Sequence, residues 1–139
     1  MKQISYFFFY TYIGLVVLAG IWGAFINPVW DFAMLFQFQI NDLNDFERIN
    51  ILSQYRFLRA LELGFGIFAL TFFKEIFTQR KFNSVFLTIM GIGILARVVS
   101  WIVDGNPGLL TKFFMFYEAL GWVLIFAYSK SSLSKNGRS

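Results

Sequence analysis

Residues 55–66 read YRFLRALELGFG. Arg56, Arg59 and Glu62 stand at the head of a run that continues through Ile67, Phe68, Ala69 and Leu70 as though it belonged inside a membrane. An unpaired arginine or acid at the centre of a membrane helix costs roughly 2.5–3.5 kcal/mol on insertion scales. Such residues persist where they are paired or line a polar cavity, so the placement of these three charges decides how the chain folds.

The rest of the chain sets the environment. Hydrophobic residues make up 58% and charged residues 14% of 139 positions, with 20 phenylalanines, and the mean hydropathy is +0.61. That leaves too little polar surface to coat a soluble globule of this size. The length fits one domain. No cysteine is present, which excludes disulfides, thiol catalysis and thiolate metal sites. No histidine is present either, which removes the commonest metal ligand and neutral-pH general base. No metal or catalytic residue is expected.

Four apolar segments follow, at about 4–26, 52–73, 82–103 and 109–128, each near the roughly 20 residues a spanning helix needs. The expected fold is all-α: a left-handed bundle of four transmembrane helices over 1–128, with 129–139 a disordered polar tail. The first segment could be a signal peptide, but its apolar run is longer than a signal core, which favours an uncleaved helix. Asp104-Gly105-Asn106-Pro107-Gly108 is rich in turn formers and makes the last two helices antiparallel neighbours. PVWDFAMLFQFQ is too apolar for a free loop and reads as a short interfacial helix, a lid or a structural plug. Basic residues gather at Lys2, at Lys74, Arg80 and Lys81, and at Lys130, Lys135 and Arg138. By the positive-inside rule both termini are cytoplasmic. The same residues form no patch with interleaved aromatics, so nucleic acid is not an expected partner. Asp42, Asp45 and Glu47 lack the glycine and oxygen spacing of a calcium loop and read as a solvated acidic face.

At about 1.5 Å per residue, Glu62, Arg97 and Glu118 lie roughly 9–15 Å below the outer end of the bundle, on three different helices. Arg59, Glu62, Gly66 and Ala69 share a stripe, as do Gly93, Ala96, Arg97, Ser100 and Asp104, and again Phe114, Glu118, Gly121 and Ile125. Small residues are what membrane helices place where backbones approach, so the charges are expected to point inward. Two readings follow. In one, Arg97 with Glu118, and an arginine of the second helix with Glu62, are ion pairs that fix the register of the bundle. In the other, Arg56, Arg59, Glu62, Arg97, Ser100 and Glu118 line an outer-leaflet polar pocket whose spare arginine binds a lipid phosphate or carboxylate, or the oxygen of a quinone-like head group. A third, a small transporter or oxidoreductase component in which Glu118 or Glu62 handles a proton, lacks a continuous relay through the inner half.

QYRFLRALELGFGIFAL, GILARVVSWIVDGNPG and FYEALGWVLIF together resemble a family of small four-helix bacterial membrane proteins of unknown function, similar to the broader DoxX-like group. The likeness runs from the first helix to Phe126. Its motifs fall on Arg56 with Gly64 and Gly66, on Arg97 with Ser100, on Gly105 and Pro107, and on Glu118; Arg59 and Glu62 depart from them and read as a local compensating pair. The resemblance implies the bacterial inner membrane as location and brings no established activity. It implies a place near membrane oxidoreductase complexes and quinone chemistry. The expected function is a non-catalytic multi-pass protein, either an accessory subunit of a larger membrane complex or a binder of a lipid-like or quinone-like ligand, with the lipid bilayer as its surroundings.

Overall fold

The computed structural model describes residues 1–136. Helix α1 (Lys2–Ile21) widens into a π-helical turn at Trp22–Ile26; α2 (Pro28–Leu35) and a 3₁₀ turn (Ile40–Asp42) follow, then α3 (Asp45–Thr71), α4 (Phe73–Thr78), α5 (Arg80–Val103) and α6 (Leu109–Asn136). Lys2–Ile26, Arg80–Val103 and Leu109–Ser131 are long and apolar enough to cross a membrane, which makes this a multi-pass membrane protein. Helix α3 is long enough at about 40 Å, but it carries Arg56, Arg59 and Glu62 through its apolar half and is not among the three.

Several boundaries differ from the hydropathy reading. Helix α3 starts at Asp45 and not near 52, because its polar first turn supplies its own cap. Asn44 accepts from the Glu47 N–H at 3.0 Å, and Arg48 pairs with Asp45 at 2.8 Å. Helix α6 runs on to Asn136, through most of the expected tail, since from Ser129 up to that residue the sequence has no Gly or Pro to end it. Residues 137–139 lie outside the described residues. PVWDFAML is a helix as expected, capped by the Asn27 side chain, which accepts from the Trp30 N–H at 3.2 Å, with Pro28 in its first turn. Between α5 and α6, Gly105 takes φ +114°, a backbone that only glycine adopts without strain.

The chain forms two compact units, Ile13–Phe68 and Met1–Tyr12 with the chain from Ala69 onward. In the second, an aromatic core holds the layers together. Tyr6 packs on Phe73, Phe77 and Tyr128 at 4.9, 4.8 and 5.9 Å between ring centroids. Phe9 packs on Phe86 at 5.3 Å, and Phe9, Phe77 and Phe86 are fully or almost fully buried. Polar groups inside this unit find partners, as a low-dielectric interior requires. Ser5 Oγ donates to Leu124 O, Asn83 Nδ2 to Ile76 O and Trp122 Nε1 to Leu87 O, and Thr11 bonds the Tyr117 hydroxyl.

In the unit Ile13–Phe68, α1 and α3 approach through glycine. A Cβ on Gly20 would lie 2.9 Å from Leu63 N and 3.0 Å from Arg59 O, both backbone atoms that cannot yield. A Cβ on Gly14 meets nothing within 4 Å. Gly20→Ala is therefore expected to lower the melting temperature in detergent, at a cost of about 1–3 kcal/mol, while Gly14→Ala is neutral or stabilising. Equal melting of the two variants would contradict the close α1–α3 approach.

Candidate functional site

The polar site in the unit Ile13–Phe68 begins with a proline. In a regular helix the Ala24 carbonyl would accept from the amide of residue 28, but residue 28 is proline and has no N–H. The chain there opens into the π turn, closed by the Asn27 N–H on Trp22 O at 3.0 Å, and Ala24 O is left to another donor. Arg56 supplies it, with Nη1 donating at 2.6 Å. A cation at a helix C-terminus also meets the negative end of the helix dipole.

Beyond the turn, the first turn of α2 carries Asp31, which is only 4% exposed. Its Oδ2 accepts from the Tyr55 hydroxyl at 2.8 Å and lies 3.6 Å from Arg59 Nη2. Arg59 Nε donates to the Tyr55 hydroxyl at 2.7 Å, and Nη1 donates to Glu62 Oε2 at 2.6 Å. The tyrosine oxygen thus accepts from the guanidinium and passes its own proton toward Asp31, which fixes the direction of every bond in the chain. Phe32 and Phe36 brace the Tyr55 ring, at 4.8 and 6.0 Å between centroids. Gly23 leaves room for the arginine stem: a Cβ there would fall 2.6 Å from Arg59 Cγ and 2.8 Å from Asp31 Oδ2.

Of the charges read from the sequence, Arg59 and Glu62 form the local pair expected of them. Arg59 is doubly matched, by Glu62 and by Asp31. Arg56 is half-buried, and among the described residues no carboxylate lies within ion-pairing distance of it. An open groove of about 330 Å³, lined by Phe32, Asn50, Ile51, Gln54, Tyr55 and Leu58, lies beside the site and is almost wholly apolar.

In the other unit, Arg97 meets Glu118 as a two-pronged fork, Nε to Oε2 at 3.1 Å and Nη2 to Oε1 at 3.2 Å. The expected stripe of α5 is corrected here. Arg97 continues the face of Asn83, Phe86, Leu87 and Met90, all buried, whereas Gly93, Ser100 and Ala96 lie to one side of it, by about 40°, 60° and 100°, and are exposed. Bulky residues, and not the small ones, set the packed face of this helix. Ser100 contributes only its carbonyl, which accepts from the Asp104 N–H at 2.8 Å. The inward stripes of α3 and α6 hold, with Gly66, Ala69, Gly121 and Ile125 buried.

Asp31 and Tyr55 were not among the residues expected at a site. The signal for Asp31 is its isolation as the one charge in PVWDFAML, three residues after Pro28. For Tyr55 it was the i, i+4 spacing to Arg59. Among the described residues no cluster of three or more acidic groups is placed to hold a metal ion.

The Arg97–Glu118 fork generates a stability test. With Arg97 39% exposed and Glu118 15% exposed at their side chains, Arg97→Ala is expected to cost about 2 kcal/mol, below the roughly 3–5 of a fully buried pair. The double change Arg97→Leu with Glu118→Leu is expected to cost less, because a lone charge in hydrocarbon is worse than none. Equal melting of the two variants in detergent would count against direct pairing.

Among curated proteins and among solved structures nothing matches the chain. Residues 5–129 match a family profile described as a domain of unknown function, DUF4345. That span takes in the Arg59 and Arg97 sites, the α2 helix, the whole of Arg80–Val103 and all but the outermost residues of the other two apolar spans, and the chain belongs to this DUF4345 family.

Proposed function

We propose that the protein is a non-catalytic multi-pass membrane protein that holds one amphiphilic molecule, lipid-like or quinone-like, with the Arg56 guanidinium on an oxygen of its head group. Arg56 carries the reading. Arg59 and Arg97 are neutralised by carboxylates, and Arg56 is tied at one nitrogen to a backbone carbonyl. A guanidinium has five N–H donors in a rigid fork, so donors remain for a ligand oxygen. The groove beside Tyr55 supplies the apolar slot that a ligand tail or ring requires. In this reading Arg59, Glu62, Asp31 and Tyr55 are bracing, Arg97 and Glu118 fasten α5 to α6, and Ser100 takes no part.

The path of the chain supports α3 as a fourth crossing. Tyr6 near the start of α1 touches Phe73 and Phe77 of α4, and Phe9 touches Phe86 of α5. The chain leaves that end along α1 and is back there at Phe73, and α3 is the segment long enough to make the return. The positive-inside rule then favours cytoplasmic termini, and the DoxX-like resemblance favours the bacterial inner membrane and the neighbourhood of a larger oxidoreductase complex. Proton handling by Glu62 or Glu118 draws less support, since each is committed to an arginine.

Native mass spectrometry of the protein gently extracted from its own membrane tests the binding reading. Wild type is expected to carry one small adduct per chain, and Arg56→Gln to lose it at least about tenfold. A protein-sized adduct indifferent to the substitution would overturn ligand binding in favour of an accessory subunit.

A further inference from the structure

One end of the unit built from Met1–Tyr12 and the chain from Ala69 onward concentrates positive charge. Tyr6 contacts Phe73, Phe77 and Tyr128, so the start of α1, helix α4, the start of α5 and the last membrane turns of α6 meet at one level. The same end carries Lys2, Lys74, Arg80, Lys81 and Lys130, all exposed, against Glu75. Lys2 lies over the Tyr6 ring at 5.6 Å and Lys130 over Phe126 at 5.9 Å, which sets these ammonium groups immediately outside the aromatic layer.

The placement runs against the intrinsic preference of the helices. Cations are favourable at helix C-termini and unfavourable at N-termini, where the dipole is already positive. Lys2 opens α1, Lys74 lies in the first turn of α4, and Arg80 and Lys81 open α5, whose first turn has no acidic residue. Among these five only Lys130 lies towards a helix C-terminus, in α6. Helix dipoles and side-chain charges therefore reinforce one another; Glu75, in the first turn of α4, offsets part of this, and negative charge outside the protein would offset the rest.

We infer that this end is a docking surface for anionic phospholipid head groups. The occupant follows from depth and charge together. The cations begin where the apolar spans Lys2–Ile26 and Arg80–Val103 begin, with tyrosine and phenylalanine rings directly beneath, the level at which lipid phosphates lie. Near an anionic leaflet each lysine or arginine adds attraction that salt screens over about 10 Å.

The test uses the full chain in detergent micelles offered equimolar phosphatidylglycerol and phosphatidylcholine of the same acyl chains, with bound lipids counted by native mass spectrometry. At low salt, bound phosphatidylglycerol is expected to exceed phosphatidylcholine about tenfold. The preference falls toward parity at high salt and in the triple variant Lys74→Gln, Arg80→Gln, Lys81→Gln, and Lys74→Arg with Lys81→Arg keeps it. Lys112→Gln, in the first turn of α6 and so at the other end of that helix from Lys130, leaves it unchanged, which ties the preference to this end. Equal retention of the two lipids by wild type would overturn the inference without reference to any variant. So would an undiminished preference in the triple variant, or an acidic protein bound salt-sensitively in place of lipid.

Discussion

The contact on which the unit Ile13–Phe68 depends is that between Arg59 and its three partners. A guanidinium in the apolar half of a long helix cannot remain without compensation, because hydrocarbon offers it no water. Glu62 lies one turn along the same helix and neutralises it locally at 2.6 Å. Asp31 and Tyr55 extend the network to α2, so the element that follows the first apolar span is held on α3 by charge and hydrogen bonding and not by apolar contact alone. The glycines at 20 and 23 are the steric counterpart of this network, since each stands where a side chain would strike Arg59 or its backbone neighbour.

Proline 28 links that network to Arg56. By removing an amide it leaves Ala24 O to the guanidinium, and the π turn gives the chain the extra width to enter α2. Both arginines of the α3 head are thus fixed by what happens at the end of α1, yet in different ways. Arg59 meets negative charge, and Arg56 meets a neutral carbonyl. This asymmetry, and not the mere presence of charges in an apolar run, distinguishes bracing from binding in the proposed function.

Much of the architecture was legible in the sequence. The helical class, the turn at Asp104–Gly108, the short helix in PVWDFAML and the two ion pairs all follow from local rules of spacing and hydropathy. What those rules could not supply came from tertiary context. The burial of Asp31 depends on a residue 24 positions further on, which periodicity within one segment cannot see. The α5 stripe was misassigned because small residues are shared by packed and open faces, and the larger Phe86, Leu87 and Met90 decided which was which. The start of α3 was missed because hydropathy marks where a helix becomes apolar, whereas Asn44 and Asp45 mark where it becomes a helix.

The account stands on the coupling of Asp31 to Arg59. A double-mutant cycle with Asp31→Asn and Arg59→Gln, read as unfolding free energy in bicelles, measures it directly. The structure predicts a coupling of about 1–3 kcal/mol, with the double variant less damaged than the sum of the single ones. Additive losses, with a coupling near zero, would mean that α2 is held by apolar packing alone and that the network around Arg59 does not organise the site.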